Sequence, residues 1–147
     1  MTVSDITYKN YVQILTEELI PAMGCTEPIA IAYAAAKARE TLGELPTEMT
    51  VAVSGNIIKN VKSVVVPHTG GLRGIVSAAA AGAVAGQADR ELEVISDVTD
   101  EQIENIKNNI ISHIIPLPKI RRGDTLLFIY ISRISKRNHC QKQRCYV

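Results

Sequence analysis

Apolar residues recur at helical spacing in the first part of the chain. The residues that share one face are Tyr8, Tyr11, Val12, Leu15 and Leu19. Steps of three and four residues predict a helix from Thr7 to Ile20. Pro21 ends this helix, because a proline disfavours helical geometry at the residue before it. A second, alanine-rich helix is predicted from Ile29 to Leu42, and its thin surface lets another helix approach closely.

Three stretches have the pattern of β-strands. Glu48 to Ser54 alternates between apolar and polar residues, which is typical of a strand with one buried face. Lys62 to Val66 is predicted to be strand or extended chain. Thr125 to Ile134 is apolar on both faces, as in a central strand.

A further helix is indicated by a capping box, in which Thr99 is the N-cap and the Gln102 side chain reaches back to it. Its predicted buried face consists of Ile103, Ile106, Ile110 and Ile114. Pro116 and Pro118 are predicted to end it. The expected fold class is α+β, with alanine-rich helices and a small sheet made by the strands near Val51, Val64 and Phe128.

Composition narrows the class of protein. At 147 residues the chain has the size of one ordinary domain, and a net charge of +1 argues against a nucleic-acid or anionic-membrane partner. Charged residues in the first helix argue against a signal peptide. The longest apolar run, Gly74 to Ala85, is too short to span a bilayer. Three cysteines without a secretion signal favour a reducing compartment, so we expect the cytoplasm.

The linker from Pro21 to Pro28 places a single cysteine, Cys25, at the mouth of the second helix. Pro28 suits the first helical position. The field at a helix N-terminus favours a thiolate, which is the form that binds metals or attacks carbon. We therefore expect the pKa of Cys25 to be lowered. The alternative is a small buried residue at a turn between two helices.

A glycine-rich loop, His68 to Gly74, leads into a helix predicted from Ile75 to Gly86. Amides at a helix N-terminus suit a carboxylate or a phosphate, and Arg73 offers a bidentate contact to either. The alternative is a tight turn before a buried alanine helix. His68 taken alone fits a structural role better than a catalytic one.

Three segments resemble the L-cysteine desulfidase family, relatives of the iron–sulfur L-serine dehydratases. The segments are Ile20–Pro28, Ser54–Val61 and Val66–Gly74, within a likeness that runs from about Tyr11 to about Ile111. The resemblance implies β-elimination of L-cysteine to pyruvate, ammonia and sulfide. It implies that Cys25 is a ligand of a 4Fe-4S cluster, and it does not identify the catalytic base. The implied contacts to the substrate carboxylate and amine come from Ser54, Asn56, His68, Thr69, Gly70 and Arg73.

The likeness fades toward the end of the chain. We divide the sequence into a dehydratase-like part at 1–115, a strand-containing segment at 116–134 and a basic tail at 135–147. The tail has no helical or strand periodicity and is expected to be disordered or out of frame. Cys140 and Cys145 lie in it, so we do not expect them to complete a cluster with Cys25.

The expected protein is therefore an incomplete lyase that does not hold its cluster alone. Two alternatives stay open. One is a non-catalytic remnant, and the other is a subunit that completes its active site with a second chain supplying the missing ligands. The expected partners are an amino-acid substrate and either a homo-oligomer or such a second chain.

Overall fold

The computed structural model describes residues 4–110, 114–118, 127–134 and 140–146, with side chains through residue 108. The helices are α1 (Asp5–Glu18), α2 (Thr26–Leu42), α3 (Gly55–Val61), α4 (Gly74–Ala85) and α5 (Asp100–Asn105). The strands are β1 (Glu48–Val53), β2 (Ile114–Pro118), β3 (Leu127–Ile134) and β4 (Cys140–Tyr146). A 3-10 helix at Ala88–Glu93 follows α4, and a π-helical turn at Ile106–Ile110 follows α5.

The strands form one sheet in the order β2-β1-β3-β4. β1 is parallel to β2 and antiparallel to β3, which is in turn antiparallel to β4. The inward side chains of β1 are Met49, Val51 and Val53, as the alternation predicts. The predicted α+β fold class, with alanine-rich helices and a small sheet, is confirmed.

One strand prediction and one helix prediction are corrected by the structure. No strand forms around Val64, where Val65 and Arg73 make a single isolated bridge. Pro116 and Pro118 do not end a helix. Ile114–Pro118 is instead a strand, and it lies at the edge of the sheet, where a missing proline N–H is tolerated.

The last segment also differs from its expected form. Cys140–Tyr146 pairs with β3, with Cys145 opposite Ile129, so a strand forms where the sequence pattern indicated none. The other residues of the 135–147 tail lie outside the described part. The division of the chain at residues 115 and 134 stays a prediction.

The core is centred on the contact between α2 and α4. Most of their buried positions are alanine, and at Gly82 of α4 there is no Cβ atom between the two backbones. A Cβ added at Gly82 would lie 2.0 Å from the carbonyl oxygen of Ala32. The predicted close helix contact is therefore confirmed, and it depends on a glycine.

A second contact fixes the same two helices at the end of α4. The guanidinium of Arg39 on α2 donates to the carbonyl oxygens of Ala83 and Val84 at 3.1 Å and of Gly86 at 2.6 Å. The last carbonyls of a helix lack partners within the helix, and a cation there also complements the helix dipole. Arg39 thus serves as a cap supplied by a neighbouring helix.

Substitution of Gly82 by alanine should lower the free energy of unfolding by about 3 kcal/mol or more, because α2 must move away from α4. Gly55→Ala is the matched control, since a Cβ at Gly55 meets no atom within 4 Å and its φ is not positive. Urea unfolding of both variants measures the difference. Equal stability of the two would contradict the close backbone contact.

Replacing Arg39 by methionine should cost about 2 kcal/mol, since three carbonyls then lose a charged donor while the aliphatic stem is kept. Lys37→Met removes an exposed ion pair with Glu40 on the same helix and should leave the urea midpoint unchanged. If the two substitutions had the same effect, Arg39 would not be a cap.

Candidate functional site

The candidate site lies at the start of α2. Cys25 is the N-cap residue of this helix and its side chain is exposed. Gly24 precedes it with φ +144°, and a Cβ there would lie 3.4 Å from Cγ of Pro67. The Cys25 linker therefore runs against the residue that precedes His68, which brings the first and third predicted motifs together.

Cys25 belongs to a chain of three hydrogen-bonded side chains. Its Sγ donates to Oε2 of Glu27 at 3.0 Å, and Nδ2 of Asn60 donates to Oε1 of the same carboxylate at 3.0 Å. Asn60 lies at the end of α3, so this contact links α3 to the first turn of α2. The thiol donates to a carboxylate that an amide from α3 holds in place, so the sulfur has a defined position at the start of α2.

The hydrogen bond to Glu27 raises the pKa of the Cys25 thiol, and the slight burial of the sulfur raises it further. The backbone N–H of Glu27 acts in the opposite direction, as expected at a helix N-terminus. The same contact lowers the pKa of Glu27, with smaller contributions from its own amide and from Asn60. The expectation of a dipole-stabilised thiolate is wrong for the resting chain, because a carboxylate next to the sulfur favours the protonated thiol.

Two of the predicted substrate contacts lie on α3. Ser54 is its N-cap, nearly fully buried, and its Oγ accepts from the N–H of Ile57 at 3.5 Å. Asn56 lies in the first turn and is exposed. Since α3 has seven residues, Ser54 is roughly 10 Å from the end that carries Asn60.

The predicted loop contacts are all held by the protein itself. Nδ1 of His68 lies 2.6 Å from the carbonyl oxygen of Ser96, and His68 has φ +56°. The Oγ1 atom of buried Thr69 donates to the carbonyl oxygen of Val66 at 2.7 Å. Gly70 packs on Ile103 of α5, and Arg73 donates to the carbonyl oxygen of Ser63 at 3.0 Å. These contacts shape the loop, and its role in substrate binding stays a prediction.

Sequence reasoning missed the partners of Cys25. Glu27 lies two residues after the cysteine, and this spacing is a usable signal for their contact. Asn60 is 33 residues from Glu27 in the chain, and no local pattern indicates their contact.

The cluster expectation can be compared with the available ligands. Iron–sulfur clusters are held mainly by several cysteine thiolates. Among the side chains that the structure describes, Cys25 is the one cysteine, and no group of three His, Cys, Asp or Glu residues could hold a metal ion. Cys140 and Cys145 lie on β4, where side chains are outside the described part. The described residues thus supply one ligand, which does not fit a complete cluster site.

The chain is similar to curated bacterial proteins. It is 60% identical over 103 residues to a UPF0597 protein of Desulfitobacterium hafniense, in a match that covers 70% of the chain and 24% of the relative. A UPF0597 protein of Treponema denticola is 53% identical over 104 residues, which are 71% of the chain and 24% of the relative. One of Fusobacterium nucleatum is 49% identical over 122 residues, which are 80% of the chain and 27% of the relative.

These matches span about a quarter of each relative's length. No family model matches the chain, and no solved structure matches it significantly. The resemblance to the L-cysteine desulfidase family is therefore corrected, because the similar proteins carry the name UPF0597, which states no activity. In the described part of the chain, every helix is too short or too polar to cross a membrane.

Removal of the Glu27 carboxylate should increase the reactivity of Cys25. In a Cys140→Ser, Cys145→Ser background, Glu27→Ala should shift the pH–rate profile of Cys25 alkylation by iodoacetamide to lower pH. The reason is that the hydrogen bond that raises the pKa of Cys25 is lost, while the backbone amide of residue 27, which lowers this pKa, is kept. Glu40→Ala is the control, because Glu40 pairs with Lys37 instead. An unchanged pH–rate profile in Glu27→Ala would contradict the thiol–carboxylate pair.

Proposed function

We propose that this chain forms the Cys25-bearing part of a lyase whose active site requires additional polypeptide. In this proposal Cys25 contributes a thiolate ligand to an iron–sulfur centre. The substrate is a small amino acid with a leaving group on its β-carbon, and L-cysteine is the first candidate.

The exposed Cys25 thiol beside the Glu27 carboxylate carries the proposal. A thiolate is a soft ligand, suited to iron–sulfur centres. Binding to a metal requires loss of the thiol proton, which Glu27 hinders in the resting chain because its carboxylate raises the pKa of Cys25. The same hydrogen bond fixes the position of the sulfur. Asn60 on α3 holds the carboxylate in place, so the position of the sulfur is fixed by contacts from two helices.

The need for more polypeptide is supported by the ligand count and by the relatives. The described residues offer one thiol, and the matched region is about a quarter of each relative. In this proposal the remaining ligands and the catalytic base come from polypeptide outside this region. We assign no step of the elimination to a cluster in this chain, since the described donors do not form a complete site.

The loop from His68 to Gly74 is the proposed contact for the amino-acid substrate, because Pro67 places its start beside the Cys25 linker. A cytoplasmic location is part of the proposal, since a free thiol and an iron–sulfur centre both require reducing conditions.

A chimaera tests the role of Cys25. The matched 103 residues of the Desulfitobacterium relative are replaced by those of this chain. After anaerobic loading with iron and sulfide, the chimaera should show cluster absorbance and release sulfide from L-cysteine. Cys25→Ser should remove both properties, because a ligand thiolate is lost. Ala22→Ser, an exposed change in the same linker, should remove neither. Retention of cluster and activity in Cys25→Ser would reduce the cysteine to a packing residue.

Reconstitution of the isolated chain distinguishes between the remaining alternatives. Reconstituted anaerobically without other polypeptide, it should not retain a 4Fe-4S centre. A stoichiometric partner that co-purifies with the chain and restores the centre would favour a two-chain enzyme. An inactive chimaera that also lacks a cluster would favour the non-catalytic remnant.

A further inference from the structure

Helix α1 presents an uncovered apolar surface. None of its residues is buried, and eight large apolar side chains on it or directly after it are exposed. Five of them form one stripe along the helix, which we call the α1 stripe: Tyr8, Tyr11, Val12, Leu15 and Leu19. The helix predicted from the sequence pattern is thus present, with its apolar face directed to solvent.

Such a helix is unstable without a partner. α1 has 14 residues, and isolated helices shorter than about 12–15 residues are marginal in water. Its caps help little, since Ser4 accepts one amide at the start and the last turn has no basic residue. Most of the stability of a helix comes from packing its apolar face, so the stripe requires a covering surface.

The shape of the stripe indicates a helix as its partner. Steps of three and four residues between Tyr8, Tyr11 and Leu15 give the seam of a two-helix contact. The five side chains have exposed fractions between 44% and 68%. From the usual areas of such side chains, they offer roughly 500 Å² per helix, or about 1,000 Å² for a pair of helices. This area reaches the lower limit for a specific interface between two proteins.

Charge selects the orientation of the partner helix. Glu17 and Glu18 lie in the last turn of α1, where the helix dipole disfavours negative charge, while Asp5 lies in the first turn. A parallel copy would bring the Glu17 and Glu18 carboxylates of both chains together. An antiparallel copy instead places them beside the partner's first turn, which carries one carboxylate, Asp5, and the positive end of the helix dipole. The same relation holds in reverse for the partner, as in any two-fold symmetric contact.

We propose that the α1 stripe packs in antiparallel orientation against the α1 stripe of a second copy of this chain. The proposal does not depend on the role of Cys25. The dimer is formed by identical surfaces and closes on itself, so it does not lead to open-ended assembly.

The test compares two neighbouring residues of equal exposure. Leu15 is 54% exposed on the stripe, and Ile14 is 53% exposed on another face of the helix. In sedimentation and light scattering, the wild-type chain should reach twice its mass of 16.0 kDa as concentration rises. Leu15→Lys should keep the mass of one chain, and Ile14→Lys should behave like the wild type. Neither residue is buried, so neither substitution should unfold the rest of the chain, and any loss of circular dichroism should not exceed the contribution of α1.

Three results would overturn the proposal. One is a wild-type chain that stays monomeric up to about 0.1 mM. Another is loss of the dimer in Ile14→Lys as well as in Leu15→Lys, since this would mean unspecific association. The third is assembly beyond two chains.

Orientation is tested separately in a background with Cys25→Ser, Cys140→Ser and Cys145→Ser. Chains with Tyr8→Cys should form a disulfide with chains carrying Leu19→Cys, and neither should crosslink with itself. Crosslinking of Tyr8→Cys with itself would show a parallel pair and overturn the antiparallel arrangement.

Discussion

The fold depends on the direct contact of two backbones, where Gly82 of α4 meets Ala32 of α2. Small side chains on both helices make this approach possible, and Arg39 holds the far end of α4 in place. Alanine loses almost no rotamer freedom on burial, so the contact is formed at low entropic cost. The rest of the core, including β1, packs around a helix pair whose spacing cannot increase or decrease without loss.

This helix pair also positions the candidate site. Cys25 is fixed because it caps α2, and α2 is anchored by α4. Asn60 reaches Glu27 from α3, which packs on the same helix. A thiol that lies on the surface is thus attached to a helix of the packed core, which is the usual requirement for a side chain that binds a metal or substrate.

Local patterns predicted the elements that local forces decide. The capping box at Thr99 and Gln102 is present, and the alternation of Met49, Val51 and Val53 matches their burial. Long-range pairing was not predictable in this way. Ile114–Pro118 contains two prolines that argue against a strand, yet it pairs at a sheet edge where they are tolerated. The helix N-terminus predicts a lowered pKa for Cys25, whereas the hydrogen bond to Glu27 raises it. The direction of the shift thus depends on where the Glu27 side chain lies.

The position of β1 in the sheet has a consequence for biosynthesis. Both neighbours of β1 come from much later in the chain, since Met49 lies opposite Ile114 on one side and Ile131 on the other. The α2–α4 pair is complete once Ala85 has left the ribosome, whereas the edges of β1 stay open until the later strands emerge. During synthesis the helices can therefore fold first, and the nascent chain carries an unpaired strand that is open to pairing with other chains.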